Sequence, residues 1–274
     1  MKKNRFLQNK TFVVFSILAL LIILAAIFAP IVTGGVDPLK GSLVDALLPP
    51  SKEHIFGTDK MGRDIFARVI YGARASLTAT FGVVALIFLV GTVTGVISGY
   101  FGGIVDAVIM RIADMMLAFP GLVLALAVAG IMGASIKNAI IAIVVVSWTK
   151  YARLARSMVL KVKRNLYVEA AIVNGTSTLK ILWKHILPNM LTTMTVTAAA
   201  DMGTMMLELA SLSFLGFGAV APTPEWGLML NEGRTYMAKA PWLMIAPGIA
   251  IVIVVIIFNM LGDSIRDILD PRQE

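Results

Sequence analysis

Two carboxylates, Asp201 and Glu208, stand seven residues apart in TVTAAADMGTMMLELASLSFL, a segment with no other formal charge. On a helix, seven residues make about two turns, so both fall on nearly the same face. An ionisable group at the centre of a bilayer costs on the order of 2.5–3.5 kcal/mol, so a function or a partner must offset it. With Met202, Met205 and Met206 the acids could line a path for a cation: a peptide amino terminus, a metal ion or a chelate. The structural alternative is pairing with a basic residue across a subunit interface. A third acid stands out differently. Between Lys150 and Pro188, Glu169 is the single carboxylate among eight Lys and Arg (Lys150, Arg153, Arg156, Lys161, Lys163, Arg164, Lys180, Lys184).

Catalytic chemistry finds no such support. The only histidines, His54 and His185, belong on opposite faces of the membrane, and cysteine is absent, so no His- or thiolate-based metal centre is expected. Neither H-E-x-x-H nor G-x-S-x-G occurs, and without G-x-x-x-x-G-K-S/T the chain cannot cradle a triphosphate itself. The expectation is a non-enzyme with no catalytic residues, no metal site and no cofactor of its own.

The elements that must position these acids are membrane helices. Hydrophobic residues make up 58% of the 274, charged residues 15%, and the mean hydropathy is +0.86. That leaves too little polar surface to coat a soluble domain, so apolar surface must face lipid. The net charge of +8 concentrates beside apolar stretches, which fits anionic headgroups and excludes nucleic acid as the partner. A spanning helix needs about 20 apolar residues, and six windows supply them. The first covers residues 11–33, after a cytoplasmic N-terminus at 1–10. An extracytoplasmic loop at 34–73 follows, and the second span lies between Arg74 and Asp106. The third fits between Asp114 and Lys137, starting near Phe119-Pro120. The fourth begins after Lys137 and must continue helically through Tyr151-Ala152-Arg153. The fifth runs from Asn189 to Leu215 and the sixth from Ala240 to Gly262. An even number of crossings puts the N-terminus, the 150–188 island and the tail Arg266–Arg272 together in the cytoplasm. Loop cations such as Lys40 and Lys52 count against this orientation.

Gly91, Gly95, Gly99 and Gly103 recur every fourth residue, a stripe that lets another backbone approach within the bundle or, alternatively, lines a pore. In the island, Gly175 interrupts a helical pattern, with Thr176, Ser177 and Thr178 as N-cap candidates. Leu179, Leu182 and Ile186 give the following helix an apolar face, and Pro188 is expected to end it. This pair either docks into a groove on a soluble protein or lies on anionic lipid.

Glu169-Ala170-Ala171, Gly175 and Leu187-Pro188 resemble the E-A-A-x-x-x-G-(x)9-I-x-L-P signature of membrane subunits of binding-protein-dependent ABC importers. His185 stands where that pattern has Ile, with Ile186 beside it, and H-I-L-P-N is similar to a peptide and nickel variant. In the outer loop, His54, Gly57, Thr58, Asp59, Gly62, Arg63 and Asp64 resemble the H-x-x-G-T-D-x-x-G-R-D signature of the second permease of dipeptide, oligopeptide and nickel importers. Ser213–Gly218, Pro224–Gly227, Phe258–Asp263 and Leu269–Arg272 resemble the same branch.

This resemblance implies the type I ABC importer permease fold, all-α with six transmembrane helices and cytoplasmic termini, its core at 74–274. It also implies coupling helices at 165–186, with Glu169 and Gly175 setting the joint. The implied partners are a homologous second permease, two ATP-binding subunits that use ATP and Mg, and an extracytoplasmic substrate-binding protein, all at the cytoplasmic membrane of a prokaryote. The implied cargo is a peptide, nickel or a metal chelate along Asp201, Met205 and Glu208. On physical grounds alone, an ion-coupled secondary transporter is the alternative.

Overall fold

The structure, a computed structural model, describes residues 3–269. Residues 1–2 of the N-terminus and the tail residues Asp270, Pro271 and Arg272, used above for orientation and resemblance, lie outside the described residues. Among those described, every named element is helical, and β-pairing is confined to isolated bridges of Gly41 with Arg63 and Thr58 with Asp64.

In chain order the α-helices are α1 (Lys3–Gln8), α2 (Lys10–Ile27), α3 (Ala29–Val32), α4 (Ile65–Phe101), α5 (Gly103–Leu117), α6 (Gly121–Met132), α7 (Ile136–Lys163), α8 (Leu166–Val173), α9 (Thr178–Ile181), α10 (Leu187–Phe214), α11 (Trp226–Gly233) and α12 (Trp242–Leu269). Three of them, α2, α4 and α12, are long and apolar enough to cross a bilayer. Their outward side chains, such as Leu20, Leu24, Leu89, Ile249 and Ile256, are hydrocarbons left exposed. Helices α7 and α10 match α12 at 28 residues each but are more polar.

The third span, expected to start near Phe119-Pro120, does begin there, as α6, but at 12 residues it is too short to cross alone. α5 and α6 meet at a bend of 95° across residues 118–120, and only as a pair could they make a fourth crossing. Pro120 occupies the N-cap of α6 with extended ψ, and its ring disfavours the α conformation at Phe119, so the chain breaks there. The 12 residues of α6 reach only about 18 Å.

α4 begins at Ile65, well before Arg74, because Asp64 caps it: its carboxylate accepts from the Ala67 N–H at 2.8 Å. Residues 65–73, expected in the outer loop, are therefore its first turns. The glycine stripe packs α4 along a parallel α7. Gly91 lies against Trp148 and Tyr151, Gly95 against Ala152 and Ala155, and Gly99 against Arg156 and Val159, where added side chains would collide with backbone. Gly103 does not continue the stripe, because α4 stops at Phe101 and Gly102 turns the chain at φ +66°. α10 runs antiparallel to both α4 and α12, with Gly262 against Ala200 and Gly203 against Asn259.

Helix directions give the bundle two distinct ends. At a basic end, Lys163 Nζ donates to the Tyr100 carbonyl at 2.7 Å, near the close of α4 and α7. At the opposite, loop end, Arg74 donates to the carbonyls of Ala26 and Ile27 where α2 finishes.

Candidate coupling and translocation sites

At the loop end, the signature residues close on one another. The buried Asp59 carboxylate meets Arg63 Nε at 2.6 Å and Arg68 Nη1 at 2.7 Å, and caps its own turn by accepting from the Met61 and Arg63 N–H groups. Arg68, 1% exposed, reaches on to Glu232 at 2.7 Å and so ties the loop to α11. His54 Nδ1 lies 2.9 Å from Asp64 Oδ2. Gly57 and Gly62 sit at φ +74° and +71°, and side chains there would strike the Leu48 and Ser42 carbonyls.

Sequence reasoning missed a second anchor at this end. Glu225 is buried and caps α11, accepting from Gly227 N–H at 2.9 Å, Leu228 N–H at 2.8 Å and Ser76 Oγ at 3.1 Å. Trp226 donates its indole N–H to the Val69 carbonyl at 2.9 Å. The signal was present: Pro224-Glu225-Trp226-Gly227 is an acid immediately before an apolar run, an N-cap pattern. A cavity of about 610 Å³ lies nearby between α2, α4 and α12, lined by apolar residues including Ile22, Phe66, Trp242 and Ile249. Neither Asp201 nor Glu208 lines it.

Deeper in the bundle, α7 acts as a ladder of cations. Lys150 Nζ contacts both oxygens of Asp201 at 2.7 and 2.9 Å, and Tyr151 Oη donates to the same carboxylate at 3.0 Å. Arg153 pairs with Asp114, and Arg156 holds Asp106 in a two-point contact at 2.5 and 2.6 Å. Asp201 thus finds its partner within the chain, where the structural alternative had placed it across an interface. Met205 is buried beside it, and neither lines an open surface. Glu208 is half-buried and has no hydrogen-bond or ion-pair partner among the described residues.

At the basic end, α8 and α9 each bury one side chain, Val168 and Ile181, and leave most of the rest in the open. α8 ends in a Schellman turn: Gly175, at φ +73°, donates to the Ile172 carbonyl, and Thr176 donates to Ala171. Glu169 and Ala170 are exposed on α8 and Ala171 is half-buried. Ser177 occupies the N-cap position of α9 without a side-chain bond. Pro188 does not end the helix. The chain stays helical from Thr178 to Phe214 because residues 182–186 open into a wide turn in which the Leu187 N–H donates to the Leu182 carbonyl. That insertion leaves room for a proline that has no N–H to give. The apolar face is also split: Ile181 and Ile186 are buried against the bundle, while Leu179 and Trp183, 72% exposed, point away with Leu166 and Val173.

Residues 91–274 match the family of binding-protein-dependent transport system inner membrane components, and residues 3–50 match the N-terminal transmembrane domain of oligopeptide transport permease C. The chain is 45% identical to a dipeptide transport system permease protein of Alkalihalophilus pseudofirmus over 97% of this chain and 88% of that one. It is 44% identical to a glutathione transport system permease protein of Pectobacterium atrosepticum over 81% and 74%. Among solved structures, a chain of the inward-facing MetNI methionine ABC transporter superposes with a TM-score of 0.60 at 19% identity, covering 75% of this chain and 98% of that one, which shows a shared fold. The chain belongs to the membrane-embedded permeases of binding-protein-dependent ABC importers, proteins that transport and are not enzymes. Within that class it falls in the dipeptide and oligopeptide branch, with ATPase and substrate-binding components as its partners.

Proposed function

We propose that this chain forms, with a homologous second permease, the path by which short peptides enter a prokaryotic cell across its cytoplasmic membrane, driven by two separate ATP-binding subunits. The observation that carries this is the basic end. α8 and α9 present Glu169 without a partner among the described residues and expose Leu166, Val173, Leu179 and Trp183, apolar surface suited to a groove on a soluble protein. In this reading Glu169, Ala170, Ala171 and Gly175 shape the joint, and Leu187-Pro188 with its wide turn transmits movement into α10. ATP and Mg act in the partner subunits.

Counting α2, α4, the bent α5–α6 pair, α7, α10 and α12 as crossings gives six, with the termini and the coupling segment on the cytoplasmic side. The relatives' names, dipeptide and glutathione, support peptides over nickel as cargo. The test is reconstitution of the complex in proteoliposomes with labelled Ala-Ala and its binding protein. Uptake should require ATP inside and survive collapse of ion gradients; uptake lost with the gradient would favour an ion-coupled carrier. Gly175→Val should reduce uptake to background, since a β-branched residue at φ +73° costs on the order of 1–2 kcal/mol and re-aims α9.

A further inference from the structure

Four acids sit on helices between α5 and α10 outside the coupling segment: Asp106, Asp114, Asp201 and Glu208. The first three are each neutralised by a cation on α7, namely Arg156, Arg153 and Lys150. Glu208 has no such partner among the described residues, and the nearest ladder cation, Lys150, already engages both oxygens of Asp201.

Glu208 also lies on a distinctive surface. Thr193, Thr197, Thr204 and Ser211 share its face of α10, at spacings of three, four and seven, and all are exposed or half-buried. The open positions of α12, such as Ile245, Ile249, Val252 and Ile256, are hydrocarbons that suit lipid. A carboxylate does not, because lipid offers it no partner; the hydroxyls beside it can donate to their own helix, as Thr197 does to the Thr193 carbonyl at 3.0 Å, and still accept from a donor outside it.

We propose that Glu208, with Thr204 and Ser211 one turn to either side, is a subsite for the α-ammonium group of a peptide in transit, an assignment that rests on the peptide-permease reading above. An ammonium brings three donors and no acceptor, so it requires acceptors around it. The Ser211 hydroxyl donates to the Leu207 carbonyl at 2.7 Å, which leaves its lone pairs free to accept. Glu208 supplies the charge. A bare divalent metal would demand several strong ligands, and no group of three or more candidate ligands occurs among the described residues. A dipeptide and glutathione, the cargoes in the relatives' names, both carry an α-ammonium. Charge-matched acceptors along the path lower the barrier for a cationic group that has left water.

The experiment uses the whole importer in proteoliposomes and reads Ala-Ala moved per ATP hydrolysed for wild type, Glu208→Gln and Glu208→Asp. Glu208→Gln should lower that ratio on the order of tenfold, the loss of one charge-assisted hydrogen bond, while loaded binding protein still stimulates ATP hydrolysis. Glu208→Asp should recover most of it. A wild-type ratio in Glu208→Gln would overturn the subsite. So would transport and ATPase activity falling together, the signature of a structural role or a pairing with the second permease. Failure of wild type to move Ala-Ala with ATP would instead overturn the peptide reading, and the subsite with it.

Discussion

The two ends of the bundle carry sequence signatures of similar density and treat their charges in opposite ways. At the loop end, the buried Asp59, Arg63 and Arg68 pair with one another and with the half-buried Glu232, and Glu225 is satisfied by backbone N–H groups and Ser76. At the basic end, Glu169 stands in the open and Val173, 86% exposed, points away from the bundle. A signature that closes on itself fixes shape. One that is left open awaits another molecule. Stability and transport should therefore separate between the ends.

The strongest way to break this comparison is Arg68→Ala. Removing Arg68 takes the shorter contact from Glu232 and one of two cations from Asp59, leaving Arg63 alone to face both acids; a lost hydrogen bond to a charged group costs about 1.5–3 kcal/mol, so the thermal midpoint in detergent should fall clearly. A midpoint like wild type would show that the quartet is not a clamp. Asp64→Ala is the milder probe at the same end. It deletes the α4 cap and should cost about 1 kcal/mol, a small downward shift with uptake retained; lost uptake at an unchanged midpoint would give the loop end a transport role of its own. At the basic end, Trp183→Ser should leave the midpoint within error and reduce capture of the ATP-binding subunits on copurification. Undiminished capture would remove Trp183 from the interface.

Much of this division was legible in the sequence. Gly175 signalled a turn between two short helices, and the structure has one there with a left-handed glycine. The stripe at Gly91, Gly95 and Gly99 signalled close packing, and its partner is α7. What stayed hidden depended on distant pairings. Charge-free windows placed the start of the second span after Arg74, yet Arg68 lies within α4 because Glu232, 164 positions away, neutralises it. Arg74 likewise spends its donors on Ala26 and Ile27. Asp201 drew suspicion as a cargo contact for the same reason, since nothing in its own segment announces Lys150. The helix start at Phe119-Pro120 was legible from the proline, but not that α5 precedes it at a 95° bend, and the wide turn at 182–186 depends on how Pro188 is accommodated, so pattern alone left a stop there reasonable.

The contrast between a closed end and an open one is tested most directly by Glu169→Arg in the intact importer, reading ATP-dependent Ala-Ala uptake at matched membrane levels of the permease. Glu169 has no partner within the described chain, so reversing its charge should leave the permease folded and inserted while uptake falls to background. Uptake at the wild-type rate would contradict the assignment of α8 and α9 as the joint to the ATP-binding subunits.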